Sequence, residues 1–434
     1  MSRIIISLLF TAFTTFFGVA QNELIHAYPS KLGLDSIFIS QKVDSIMQLG
    51  IKEQAFPGAQ LLVAKNDTVI FHEAYGFHTY DSLQPVALND LYDLASVTKV
   101  LGPLPALMKL VDEDKIKLDV PFSTYWKPWR NRKDKKDLTL REILSHQAGL
   151  IPYIVFLQKV IKNGELKNRF VRSTFNKRFE KRVNDQLYIN RRFERKMNRI
   201  INRSKVSDEK KYVYSGLSFL IFPTLIEQLT QTDYQTYLHD TFYEPLGCHT
   251  LGYLPSLKHW VNSIVPTEND TLFRKTVVKG WVHDENASLM GGVSGNAGLF
   301  GTADDLAKMM LFYENYGAAN GEQLISEETV KEFTKVQYPE NENRRGLGFD
   351  KPLFNNAELP LEDAYPSPLA SEASFGHSGF TGTFVWADPE KKLVFIFLSN
   401  RVYPTRDHRN LYDLNIRTAL MDVFYKAQAI PHQN

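Results

Sequence analysis

The chain has 434 residues, 43% of them hydrophobic and 23% charged, which describes an ordinary globular protein. Its formal net charge of +2 excludes a nucleic-acid signature spread over the whole molecule. The length exceeds the roughly 250–300 residues at which a single core stops growing, so two lobes are expected.

The first twenty residues, MSRIIISLLFTAFTTFFGVA, carry an early basic residue, an apolar run and small residues at the end. That is the layout of a secretory signal, with cleavage near Ala20. The run is shorter than the ~20 apolar residues that a membrane span needs. Residues 36–49 place Ile39, Val43, Ile46 and Met47 on a helical stripe that Gly50 is expected to end. AQLLVAK and TVIFHEAYGF follow, separated by Asn66-Asp67, and read as a hairpin. DLASVTKVLG comes next, and LPALMKLVDEDKIKL continues it helically. Pro103 and Pro105 predict a break after Lys99.

From about 138 to 335 the signals are mostly helical: LTLREILSH, LSFLIFPTLIEQLTQ and TADDLAKMMLFYENYG. In the last, Thr302 and Asp305 form an N-terminal cap pattern and Gly317 a stop. The one cysteine, Cys248, cannot form an internal disulfide and reads as a buried structural thiol. Strand signals return in RGLGFD, GFTGTFVWAD and KKLVFIFLSN, and LNIRTALMDVFYKA closes the chain as an amphipathic helix. Strands at both ends with helices between imply one sheet built from both termini and an inserted helical lobe.

Residues 158–211 hold eighteen Lys and Arg against six Asp and Glu, interleaved with Phe170, Phe175, Phe179, Tyr188 and Phe193. The rest of the chain is therefore net acidic. The plain reading is a solvated helical hairpin whose aromatics pack on the helical lobe. The functional one is an electrostatic rim for an anionic substrate, a cell-wall polymer or a membrane surface.

Ser96 and Lys99 lie one helical turn apart. A serine hydroxyl is a poor nucleophile until a neighbouring base takes its proton, and the i, i+3 spacing lets Lys99 reach it. A serine in the first helical turn also sits at the positive end of the dipole. Lysine serves as a base only where burial or positive charge favours its neutral form, and Leu94, Ala95 and Val97 make an apolar setting. Competing signatures fail. GHSGF at 376–380 and GVSGN at 292–296 miss the last glycine of a G-x-S-x-G elbow, and His72-Glu73 has no second histidine at zinc-binding spacing.

Two later segments complete an ordered set: Tyr214-Ser215-Gly216 in KYVYSGLSFLIF, and His377-Ser378-Gly379 entering a strand in ASFGHSGFTGTFVW. Ser-x-x-Lys, a tyrosine triplet and a basic-Ser/Thr-Gly triplet, in that order, resemble the serine β-lactamase and penicillin-binding-protein superfamily. The likeness is to its class C-like esterase and β-lactamase branch and runs from about residue 35 to 427. FPGAQLLV, LTLREILSHQAGL, GNAGLFGTADDLAKM and GLGFD add to it.

The resemblance implies an α+β sandwich: an antiparallel sheet from both chain ends, flanked by the N- and C-terminal helices. The sheet lobe would take about 35–90 and 345–430. The helical lobe would take 91–344, with the basic insertion at about 152–211 inside it, and the active site would lie between the lobes. It also implies that Ser96 forms an acyl-enzyme while Lys99 and Tyr214 shuttle its proton and later activate water. Backbone N–H groups of Ser96 and Phe380 would form the oxyanion hole. His377, Ser378 and Gly379 would line the substrate side, and His146 would be structural. No metal or organic cofactor is expected.

Two positions depart from the family pattern. Gly216 stands where an asparagine is frequent, and His377, charged only in part near neutral pH, stands where the family has a lysine. Both departures weaken a β-lactamase reading more than an acyl-transfer reading. The expectation is an exported serine hydrolase acting on a small ester, amide or peptide, as an esterase or D-amino-acid peptidase. The alternatives are a true β-lactamase or D-Ala-D-Ala carboxypeptidase, and a non-catalytic wall- or ligand-binding module that keeps the fold.

Overall fold

The computed structural model describes residues 23–258 and 264–427. The signal-like residues 1–20 lie outside the described residues.

The centre is a six-stranded sheet. Its strands are β1 (Ile25–His26), β2 (Gly58–Lys65), β3 (Thr68–Gly76), β4 (Phe375–Ser378), β5 (Phe384–Asp388) and β6 (Leu393–Ser399), in the spatial order β1-β3-β2-β6-β5-β4. Every neighbouring pair is antiparallel except the short edge pair β1–β3, which is parallel. Strand β2 from the N-terminal part pairs with β6 from the C-terminal part over seven residues. One sheet therefore draws on both chain ends, as expected.

Strands β2, β5 and β6 are buried along nearly their whole length because helices cover both faces. In β6, Leu393, Phe395 and Phe397 point to one core, and Val394, Ile396 and Leu398 to the other. In β5, Phe384 and Trp386 face the first core and Val385 and Ala387 the second. On the aromatic face lie α1 (Ser36–Lys52) and the last helix, Ile416–Lys426, packed against each other through Ile39, Val43, Met47, Leu420, Met421 and Phe424. On the aliphatic face lies the helix Ala303–Glu314, from which the helical lobe extends.

Several sequence expectations change. Helix α1 runs through Gly50 to Lys52, because that glycine does not stop the helix but lets Phe56 close on it. A Cβ at Gly50 would stand 2.7 Å from the Phe56 ring. RGLGFD forms no strand; only Asp350 bridges Gly376, beside β4. Thr302 does precede the helix Ala303–Glu314, but no side-chain capping bond forms there. Asp305 instead accepts from the Thr250 and Leu251 N–H groups, and the helix ends at Glu314, before Gly317.

The basic segment is not a helical hairpin. It forms short strand pairs at Ile161–Lys162, Glu165–Leu166, Val171–Arg172, Lys181–Arg182 and Tyr188–Ile189, followed by the helix Phe193–Arg203. Phe179 and Phe193 are buried as expected, whereas Phe175 is exposed.

Candidate active site

The strand Tyr92–Asp93 delivers the chain to a single 3-10 turn, Ala95–Val97, and then to the short helix Thr98–Leu101. The expected break falls at Gly102, where a side chain would collide with the Thr98 carbonyl and the hydroxyls of Tyr253 and Tyr234. The helix after the serine is thus only four residues long, and its dipole adds less than a long helix would.

Ala95 has φ +44, a left-handed conformation that a non-glycine residue adopts only where its surroundings enforce it. Asp93 enforces it. One carboxylate oxygen accepts the Ala95 N–H at 2.9 Å and the other the His283 N–H at 2.6 Å. Burial raises the Asp93 pKa despite these two bonds.

On this turn Lys99 is 2% exposed. Its ammonium donates to Ser96 Oγ at 2.8 Å and to the Asn296 carbonyl at 3.0 Å, and it lies over the rings of Tyr214 and Phe219. The Tyr214 hydroxyl stands 3.5 Å from Ser96 Oγ, the outer limit of a hydrogen bond. Burial would raise the Tyr214 pKa, but Lys99, the Ser96 contact and Arg345 outweigh it, and the net shift is downward. Serine, lysine and tyrosine thus converge on one oxygen from positions far apart in the chain. His146 steadies the tyrosine, as expected of a structural residue: its carbonyl accepts the Val213 N–H, its Nδ1 accepts the Ser215 N–H, and its ring centroid is 4.5 Å from that of Tyr214.

The His377-Ser378-Gly379 triplet closes the end of β4; it does not enter a strand. A Cβ on Gly379 would lie 2.6 Å from the Leu94 carbonyl, so only glycine lets this strand end touch the serine turn. Thr381 and Thr383 donate to the carbonyls of Asp93 and Leu94, tying the two segments together. Phe380 follows the triplet and lines the same pocket as Ser96. That pocket holds about 450 Å³ between Tyr153, Val155, Leu272, Phe380 and Asp284.

His377 corrects an expectation. Burial, together with Arg345 and Lys99, pushes its pKa down to about 3, so it is neutral across the working pH range and not partly charged. Its Nδ1–H donates to the Ser378 carbonyl at 2.8 Å. The buried Nε2 is then an acceptor with no partner among the described residues. Gly216, the other departure, has open space where a Cβ would stand, so packing does not demand a glycine there. Cys248 is buried, and burial pushes its thiol pKa well up, in line with a structural role.

Two contributors escaped the sequence reading. Asn296 offers its carbonyl to Lys99 while its side chain bonds Ser294 and Asp284. Arg345, 3% exposed, lies 5.7 Å over the Tyr214 ring and pairs with Asp350 at 3.1 Å. GNAGLFGTADDLAKM reads as a family-like stretch and RGLGFD as a strand, yet neither announces a carbonyl or a cation aimed at a residue so distant in the chain.

Three comparisons fit this geometry. A family model described as Beta-lactamase matches residues 39–420. A Salmonella heidelberg protein described as "Putative D-alanyl-D-alanine carboxypeptidase" is 28% identical over 424 residues, covering 92% of this chain and 90% of that one. Among solved structures, a penicillin-binding protein homologue from Caulobacter crescentus superposes with a TM-score of 0.63 at 17% identity, covering 91% of this chain and 99% of the other. EstCE1, described as a hydrolase with promiscuous acyltransferase activity, gives a TM-score of 0.64 at 18% identity, covering 88% and 98%. The chain belongs to the beta-lactamase family and is a serine hydrolase.

Proposed function

We propose that Ser96 is the nucleophile of an exported hydrolase that cleaves small ester, amide or peptide substrates through an acyl-enzyme. The observation that carries this reading is the 2.8 Å contact from Lys99 to Ser96 Oγ, with the Tyr214 hydroxyl on the same oxygen. The Lys99–Tyr214 pair shuttles the serine proton away as Oγ attacks the carbonyl carbon. The proton then goes to the leaving group, and the same pair activates the water that releases the acyl group. The backbone N–H groups of Ser96 and Phe380 are assigned to the developing oxyanion, where one such donor is typically worth about 2.7–4 kcal/mol of barrier. His377, Ser378 and Gly379 line the substrate side. The mature chain would begin after Ala20 and form one hydrolase domain with the basic insertion inside its helical lobe. Among the described residues no helix is long and apolar enough to cross a membrane. The basic segment would meet a cell-wall polymer or another anionic surface.

Within this class, an esterase or D-amino-acid peptidase fits better than a β-lactamase. A β-lactam or D-Ala-D-Ala-like substrate carries a carboxylate and an amide that the family reads with its lysine and asparagine. Here those positions hold a neutral histidine and a glycine with no side chain. The purified protein should hydrolyse short-chain p-nitrophenyl esters readily and a chromogenic cephalosporin poorly. Because His377 titrates near 3, cephalosporin turnover should show no gain as the pH is lowered from 8 to 6. Efficient cephalosporin hydrolysis with negligible esterase activity would reverse the ranking.

A further inference from the structure

We propose that the basic insertion is a docking face for an anionic phospholipid leaflet, through pinned arginines grouped around an exposed phenylalanine. This narrows the anionic-partner reading above and stands apart from the hydrolase chemistry.

The cations of this segment are unusually free. Of its eighteen, Lys181, Arg191, Lys210 and Lys211 have a carboxylate within 4 Å, and the other fourteen have none among the described residues. Many are nonetheless held in place, by rings. Arg169 and Lys196 lie 4.5 and 4.3 Å from the Phe170 centroid. Arg172 and Arg178 flank Phe179, and Arg182 lies over Tyr188. Phe170 packs edge-on against buried Phe193, so these contacts lead into the core. Stacking on a ring fixes a guanidinium without neutralising it, which leaves both its charge and its donors for an external anion.

The helix Phe193–Arg203 adds exposed cations above a buried apolar stripe. It buries Phe193, Met197 and Ile201 at i, i+4 and i+8, while Arg192, Arg195, Arg199 and Arg203 are exposed. Its apolar stripe is spent on the core, so the helix cannot insert into a bilayer. What remains is an electrostatic face with one apolar tip. Phe175 is 63% exposed and meets Tyr188 edge-on. A dissolved polyanion offers nothing to bury that ring, whereas the headgroup–acyl boundary does. The chain enters the segment from Tyr153, Val155 and Leu157, which line the Ser96 pocket.

The test is co-sedimentation of the purified protein with vesicles of phosphatidylcholine alone or mixed with phosphatidylglycerol. Inorganic polyphosphate serves as the soluble polyanion. Binding should require phosphatidylglycerol and weaken as salt shortens the ~10 Å screening length. Arg172→Gln, Arg178→Gln and Arg182→Gln together should lower vesicle affinity by about a hundredfold, as expected for three basic residues at a charged surface. Phe175→Ser should lower vesicle affinity several-fold and leave polyphosphate binding unchanged. Ester hydrolysis in both variants should equal wild type, which shows that they fold. Vesicle binding indifferent to Phe175, or binding to polyphosphate alone, would overturn the lipid assignment and make the face a polymer site. Indifference of vesicle binding to the arginine changes and to salt would return it to ordinary solvated surface.

Discussion

Lys99→Met is expected to lower kcat for a short-chain ester by about a thousandfold, within the ~10²–10⁴ range typical of a positioned acid–base group. Ser96→Ala should lose as much or more, and the double variant should be no worse than Ser96→Ala alone, because members of one catalytic unit do not add. Structural damage would produce a different pattern. The Lys99 ammonium is buried against the Ser96 hydroxyl, a carbonyl and two rings, so its removal frees no buried carboxylate. Methionine keeps the stem and removes a charge that is costly to bury. Lys99→Met should therefore melt at or above the wild-type temperature while nearly inactive. A large fall in Tm together with the rate would make Lys99 a structural residue.

The second large effect is a pH shift controlled by Arg345. The groups facing Tyr214 are Lys99, Ser96, His146, His377 and Arg345, with Asp350 behind the arginine. The two histidines are held neutral, chiefly by burial, which leaves Lys99 and Arg345 as the cationic side chains that lower the Tyr214 pKa. Arg345 is one of the groups that bring the Tyr214 pKa down. If the tyrosine works as a phenolate base, removing the cation raises its pKa, and the acid limb of kcat/KM moves to higher pH. A unit charge at this distance is worth on the order of 3 kcal/mol at an effective dielectric of ~20. Asp350 offsets part of that, leaving a loss of about tenfold at neutral pH for Arg345→Met. Activity should recover on the alkaline side, and Arg345→Lys should restore the wild-type limb. The Arg344–Asp350 contact at 2.6 Å keeps the carboxylate paired in either variant. A uniform loss at every pH, with the limb unmoved, would mean that Arg345 only packs.

Much of this molecule was legible because its signals are local. Apolar runs bounded by turn residues marked β2, β5 and β6, since each buries both faces, and the Asn66-Asp67 turn marked β3, which stays partly exposed. The i, i+3 spacing of Ser96 and Lys99 survived a wrong detail, because a 3-10 turn brings those side chains together as readily as a long helix would. The basic segment misled for a physical reason. Its charged residues carry no period-2 apolar pattern, and its two-residue strands are set by Asn side chains that accept backbone N–H groups at Asn176, Asn184 and Asn190. Arg345 and Asn296 were invisible as site residues, since their influence on Tyr214 and Lys99 exists only once loops remote in sequence have packed. His377 shows the same limit. Its residue type suggested a titrating group, and its burial beside Arg345 and Lys99 removed that behaviour.

The central claim is that Ser96 becomes acylated. The direct measurement is mass spectrometry of the protein after reaction with a fluorophosphonate, with the modified peptide sequenced. The account predicts one adduct per chain, on Ser96, absent in Ser96→Ala and strongly slowed in Lys99→Met. An adduct on any other residue, or Ser96→Ala labelling and turning over ester like wild type, would contradict it.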